Sequence, residues 1–167
     1  MPPKATLHFV CGKLASGKTT LAQQLAKEMK AVFVSEDEWL AVLYPDQIKD
    51  FEDYLDRSSR FRAAIAPLVQ VLLGMGVPIV GGNVPKERAW VKSLCQYAKI
   101  PLVLHYIRAS DELCKKQLRK RNDERVFPSR YTTEDEFDQI TKYFCAPRPD
   151  EGYTVKEYDA DFLSKTS

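Results

Sequence analysis

The chain predicts an α/β fold of three layers, a mostly parallel sheet covered by helices on both faces. Two observations carry this. Short apolar runs alternate along the whole sequence with longer segments of helical periodicity, and most of those runs are continuous rather than alternating, as strands buried on both faces require. A third observation sets the scale: 167 residues suffice for one full hydrophobic core and are short for two. A single domain over residues 1–167 is expected. With 44% hydrophobic and 29% charged residues, the composition is that of a folded protein rather than a disordered one.

The first strand is expected over Thr6–Cys11 and leads into Gly12-Lys13-Leu14-Ala15-Ser16-Gly17-Lys18-Thr19. This is Gly-x4-Gly-Lys-Thr between a strand and a helix, the context that gives the pattern its physical meaning. Gly12 and Gly17 allow a tight turn and close backbone approach to phosphates. Loop N–H groups and the helix dipole favour an anion there. Lys18 is expected at the β- and γ-phosphates and the Thr19 hydroxyl on Mg²⁺. The stretch from Gly12 to Thr20, with Lys13, Leu14, Ala15 and Ser16 inside it, is thus the expected site for ATP.

Helix one should run from Gly17 to about Met29, with Leu21, Leu25 and Met29 toward the sheet. Ala31–Ser35 reads as a second strand covered on both sides. Ser35 can cap a helix whose third residue is Glu38, which places Asp37 in its first turn. That position, beyond the carboxyl end of a strand, is where ligands sit in an open α/β sheet. A long helical pattern from Lys49 to Leu73 contains Pro67, which predicts a kink or a break. Val77–Val80 is the third strand, Gly81-Gly82-Asn83-Val84 its loop, and Pro85 opens a helix reaching about Tyr97. Leu102–Ile107 is the fourth strand. A helix from Ser110 or Asp111 to about Arg121, a surface loop over 122–130 and a helix from Thr132 to Phe144 follow. Tyr153–Tyr158 is the fifth strand.

The bulk properties exclude some functions. The 25 Lys+Arg against 23 Asp+Glu leave a net of +2, so overall charge does not demand a nucleic-acid partner, and only Lys115–Arg125 forms a basic run. Cys11, Cys95, Cys114 and Cys145 have no CxxC or metal-site spacing and read as thiols in a reducing compartment. His8 and His105 fall in strands and are expected in the core or at a sheet edge. No apolar run approaches the ~20 residues of a membrane span, and a cytoplasmic protein without membrane contact is expected. Neither monomer nor homodimer is preferred.

The guanine-reading Asn-Lys-x-Asp is absent, which weighs against a GTPase. Asp37 could orient or deprotonate an acceptor hydroxyl. Arg119, Arg121 and Arg125 could neutralise the transferred phosphoryl group while closing over the site. Arg88 could point toward an acceptor, and Asn83 could hydrogen-bond it. Asp37 has a plainer reading as a helix-start acid, and the arginines as a solvated helix face.

On the phosphate loop, the Ser35-Glu36-Asp37-Glu38-Trp39-Leu40 segment and the late Phe144-x2-Pro147…Glu151-Gly152-Tyr153 segment, residues 7–158 resemble a group of small P-loop kinases. That group includes polynucleotide 5′-hydroxyl kinase, chloramphenicol phosphotransferase and zeta-toxin-like proteins. The resemblance implies a P-loop NTPase fold with a five-stranded parallel sheet of order 2-3-1-4-5 and ATP with Mg²⁺ as cofactors. It also implies Asp37 as general base and an arginine-bearing lid at approximately 119–131. Relatives commonly carry an acid at the end of strand three, where this chain has Gly81-Gly82-Asn83. The function implied is transfer of a γ-phosphoryl group from ATP to a hydroxyl of a small-molecule or nucleotide-like acceptor. Two alternatives stand beside it: a nucleotide-binding protein with weak hydrolysis acting through partners, and a nucleic-acid 5′-hydroxyl kinase using the basic run.

Overall fold

The computed structural model describes residues 5–75, 79–82, 88–125 and 127–166. In chain order the elements are β1 (Leu7–Gly12), α1 (Lys18–Met29), β2 (Val32–Ser35), α2 (Glu36–Leu43), α3 (Phe51–Gly74) and β3 (Ile79–Gly82). They continue with α4 (Arg88–Ala98), β4 (Leu102–Arg108), α5 (Asp111–Glu124), α6 (Glu134–Thr141), β5 (Thr154–Asp159) and α7 (Ala160–Thr166). The strands form one five-stranded sheet in the order β2-β3-β1-β4-β5, and every neighbouring pair is parallel.

The central strand β1 shows why the sheet is covered on both sides. Leu7, Phe9 and Cys11 face a core built with Leu40 of α2, Phe61, Ile65, Val69 and Leu73 of α3, and Val91, Leu94 and Cys95 of α4. Val10 points to the opposite face and packs with Ala22, Leu25 and Ala26 of α1 and Ile107 of β4. This alternation places one helix layer on each face. Helix α1 buries Ala22, Leu25 and Ala26, while Leu21 and Met29 flank them partly buried. A third cluster joins Cys114 and Leu118 of α5 to Phe137 of α6, with Leu14 and Ala15 of the phosphate loop against it. The α5–α6 pair is therefore seated on the loop itself.

Several boundaries differ from the sequence expectation. Helix α3 runs unbroken from Phe51 to Gly74 with Pro67 inside it, because Phe61, Ile65, Val69 and Leu73 bury one continuous face on both sides of the proline. The second strand lies at an edge of the sheet, and Val32 is 39% exposed. Gly81 and Gly82 belong to β3 instead of a loop. Gly82 pairs with Val10 on one side and Ser35 on the other. Asn83 lies outside the described residues. Helix α5 continues one turn further than expected, to Glu124, and Arg125 closes it in the left-handed conformation, φ 47°. Helix α6 stops at Thr141, short of Phe144.

Candidate active site

The carboxyl ends of β1, β2 and β3 come level, as the Val10–Gly82–Ser35 register shows, so the phosphate loop and the start of α2 open onto the same end of the sheet. The loop is shaped by two glycines. A Cβ at Gly12 would meet Ser16 Oγ at 2.7 Å and the Ile107 carbonyl at 2.9 Å, so only hydrogen fits there. Gly17 stands at φ 96°, a conformation that side-chain-bearing residues adopt under strain. Ser16 is buried, and its hydroxyl has no hydrogen-bond partner among the described residues. A buried orphan hydroxyl inside a cradle closed to a Cβ is what a loop built around a ligand's oxygen atoms presents.

Lys18 turns its ammonium inward, donating to the carbonyls of Gly12 at 3.0 Å and Lys13 at 2.5 Å. Burial of this charge pulls its pKa down to about 8, and Asp37 opposes the fall. Lys13 donates to Asp111 at 2.6 Å and so ties the loop to the start of α5. Leu14 and Ala15 pack on α5–α6, leaving the loop backbone as what this stretch can offer a ligand. Thr19 and Thr20, in the first turn of α1, are exposed.

Asp37 occupies the first turn of α2, where the Ser35 hydroxyl accepts from the Glu38 N–H at 3.3 Å and starts the helix. Its side chain is exposed, while its charge acts on both Lys18 and Arg121. Arg121 is held below its ordinary pKa by burial, with Asp37 opposing and Arg130 reinforcing the shift. Its Nε is buried without a hydrogen-bond partner among the described residues. Lys18, Asp37 and Arg121 thus share one electrostatic environment although 84 residues separate the last two in sequence.

Other expected site residues are committed elsewhere. Arg119 pairs with Glu134 and fastens α5 to α6, as Lys115 does with Asp138 at 2.8 Å. Two positions from Arg121 on a helix, Arg119 necessarily leaves on a different face. Arg88 is buried: it grips Glu151 through Nε and Nη2, each at 2.7 Å, and donates Nη1 to the Cys145 carbonyl at 2.7 Å. These contacts make it a clamp between α4 and the chain before β5, in place of the expected acceptor contact. Arg125 lies four residues from Arg121 on the same side of α5 and shares a cavity with it.

Two groups escaped sequence reasoning. Glu36, beside Asp37, is buried, accepts from the Tyr54 hydroxyl at 3.2 Å and pairs with Arg62 at 3.7 Å. Burial raises its pKa, and the Arg62 charge works against that. Its contacts anchor the first turn of α2 to α3; an acid in a helix's first turn gives no signal in sequence that it faces inward. Arg130 is the second, joining Arg121 and Arg125 around the cavity from the loop beyond α5.

The family model described as an AAA domain matches residues 7–147, and the chain belongs to that family. No curated protein sequence matches it. Among solved structures it is similar to a protein of Chloroflexus aurantiacus assigned as a kinase, with a TM-score of 0.77 at 17% identity over 98% of this chain and 89% of that one. It is similar to Chaetomium thermophilum Kti12 in complex with ADP-AlF3, with a TM-score of 0.65 at 18% identity, covering 95% and 97% of the two chains. The APS kinase CysC of Mycobacterium tuberculosis, in complex with AMPPNP and APS, aligns with a TM-score of 0.61 at 14% identity over 99% and 96%. At these identities the likeness is one of fold.

Proposed function

We propose that the chain is an ATP-dependent phosphotransferase that moves the γ-phosphoryl group to a hydroxyl of a small acceptor. The observation that carries this reading is the shared electrostatic environment of Lys18, Asp37 and Arg121 at the mouth of the phosphate loop. A phosphate-binding cation, a carboxylate able to receive a proton and a guanidinium with an unsatisfied donor are what such a transfer needs. The acceptor oxygen would bond to the γ-phosphorus as the bond from that phosphorus to the β–γ bridging oxygen breaks. The acceptor proton passes to Asp37, and ADP leaves. Arg121, and Arg125 beside it, would neutralise charge on the phosphoryl oxygens. The end of α5 with the loop after it, approximately 119–131, would be the lid. Residues 1–167 are read as one kinase domain.

Mg²⁺ would suit this site, since the exposed Thr19 stands at the start of α1 with a hydroxyl to offer as a ligand. A Mg²⁺ held by Thr19, phosphate oxygens and water is the usual arrangement for such ions. It would shield the charge of the triphosphate. The similarity in fold to proteins described as kinases supports the reading. Among the described residues no helix is long and apolar enough to cross a membrane. Within the basic run, Lys115, Arg119 and Lys120 each pair with a carboxylate.

Asp37→Asn tests the proposal. The amide is nearly isosteric and cannot take the proton, so ATP·Mg²⁺ affinity should stay within a few-fold while transfer falls at least ~100-fold. Parallel losses in Mg²⁺-dependent binding, background hydrolysis and transfer would make Asp37 a metal-site residue. Unchanged transfer would leave it a helix-start acid and remove the base from the mechanism.

A further inference from the structure

The two edges of the sheet are built differently. Strand β5 closes one side with Lys156, Glu157 and Asp159, and such charges keep a strand edge from pairing with another chain. Strand β2 closes the other side with Val32-Phe33-Val34-Ser35, which holds no charge, proline or glycine and is paired to β3 alone. Val34 packs with the core under α3, while Ala31 and Phe33 pack toward α1. The exposed Val32 therefore shares the α3 face with Val34.

The helix beside that edge is uncharged as well. From Ala63 to Met75 there is no charged residue, although Leu68, Val71 and Met75 are 53%, 58% and 69% exposed. With the exposed Ala64 they recur at spacings of four, three and four, the seam along which two helices pack. Topology fixes where the seam points. The right-handed passage β2–α3–β3 puts α3 at the β2 end of its layer, and β3–α4–β4 puts α4 over the middle of the sheet. Helix α3 runs against the strand direction with Ile65, Val69 and Leu73 inward. Right-handed winding then turns the partly covered Ala66 and Gln70 toward α4, and Leu68, Val71 and Met75 toward the β2 edge. Val32 pairs with Ile79, just beyond Met75 in the chain, so the seam and the bare edge adjoin.

We propose that this surface receives a second copy of the chain, β2 against β2 and α3 against α3, joining the two sheets into one. Self-pairing suits β2 and not β5. A two-fold axis normal to the sheet makes the strands antiparallel and keeps every side chain on its own face, so opposed residues are the same or an even number of positions apart. Centred on Phe33, the axis sets Phe33 opposite the partner's Phe33 and Val32 opposite the partner's Val34, aromatic and β-branched pairs that favour a sheet. At the middle of β5 it would oppose Lys156 to the partner's Lys156 or Glu157 to the partner's Glu157, like charges that repel. The axis at β2 also lays the two α3 seams antiparallel and face to face. A specific interface takes roughly 600–1,000 Å² from each copy, the scale of one added strand with a few turns of packed helix. The two phosphate loops lie at opposite ends of the joined sheet, so the dimer is independent of the phosphotransferase reading.

Sedimentation equilibrium on the full chain provides the test. As concentration rises, wild type should approach twice the 19.1 kDa of one chain and no more. Val71→Glu and Val32→Lys should each weaken the dimer at least ~100-fold, because each buries an uncompensated charge twice per interface. Both positions are exposed, and unchanged far-UV circular dichroism would show that the variants fold. Lys156→Ala, on the other edge, should leave the dimer intact. Hydrogen exchange needs no variant: amides of residues 32–35 should gain protection as wild type associates, and those of 154–159 should not. A wild type that is monomeric throughout hands the edge to a strand of some other chain and overturns the proposal. A dimer indifferent to Val71→Glu and Val32→Lys, or one broken by Lys156→Ala, lies elsewhere on the surface and overturns it too. Sensitivity to Val71→Glu alone, without protection of 32–35, would leave a helix contact and remove the joined sheet.

Discussion

Lys18 is the residue whose behaviour most directly reports a nucleotide. Its inward ammonium, with a pKa near 8, is only partly charged in the free protein at slightly alkaline pH. A triphosphate brings opposite charge within contact distance and raises that pKa, since the charged form is then favoured. The sign follows: nucleotide binding takes up protons above about pH 8 and takes up almost none near pH 6.5, where Lys18 is already charged. Heats of ATP·Mg²⁺ binding measured in two buffers of different ionisation enthalpy should show this uptake in wild type. Lys18→Arg, always charged, should bind without it. Lys18→Ala should keep the fold, lose at least ~100-fold in transfer and bind nucleotide more weakly, as loss of a charged donor to phosphate implies. Unchanged affinity and turnover in Lys18→Ala would remove the phosphate loop from the function.

At the scale of elements, the site is held by contacts between segments far apart in sequence. Lys13 to Asp111 ties the phosphate loop to α5, and Arg119 and Lys115 tie α5 to α6. The Glu36 contacts fix α2 against α3. The Arg88–Glu151 clamp is the strongest of these by geometry, two-pronged and mostly buried on both sides, with side chains 10% and 17% exposed. Hydrogen bonding from Arg88 holds the Glu151 pKa below its ordinary value. Arg88→Ala strands a carboxylate that has little access to water and should cost roughly 3 kcal/mol in urea unfolding. Glu151's lowered pKa makes the clamp's contribution full above about pH 4.5 and lost as pH falls further. An Arg88→Ala protein of normal stability that has lost transfer would return this arginine to the acceptor.

Across the whole molecule, one buried polar chain crosses the sheet. His8 Nδ1 meets His105 Nε2 at 2.9 Å, and His105 Nδ1 meets the Tyr158 hydroxyl at 2.9 Å, joining β1, β4 and β5 on the face that α1 covers. The two facing ring nitrogens share a single proton between neutral rings. Burial lowers both pKa values, His105 to about 4, and the Lys156 charge adds to each. The unfolded chain therefore binds protons from about pH 6.5 downward that the native state refuses until near 4. Stability is complete above 6.5 and falls through that window, by up to roughly 3 kcal/mol for His105. Urea midpoints at pH 7 and pH 5 should differ in wild type. In His105→Gln, which keeps a polar partner without titrating, the difference should shrink markedly. Equal pH dependence in the two proteins would show that the chain titrates elsewhere.

The three-layer α/β class, the order of elements along the chain and the phosphate loop were determined by the sequence, because each is written in local terms: apolar period, capping residues, and glycines at fixed spacing. Gly12, where a Cβ has no room, and Gly17, at φ 96°, were legible from that spacing, and the place of Asp37 because Ser35 and Glu38 mark a helix start. What α3 does at Pro67 was decided by its continuous buried face, which overrides a local helix breaker. The partners of the arginines were decided only by tertiary structure. Arg88, Arg119 and Arg121 look alike in sequence, yet one grips Glu151, one grips Glu134, and one keeps an unsatisfied buried donor within reach of the Asp37 charge. An arginine's role depends on which carboxylates the fold brings within reach, and that distance is set by sheet order and helix packing, which no local pattern encodes.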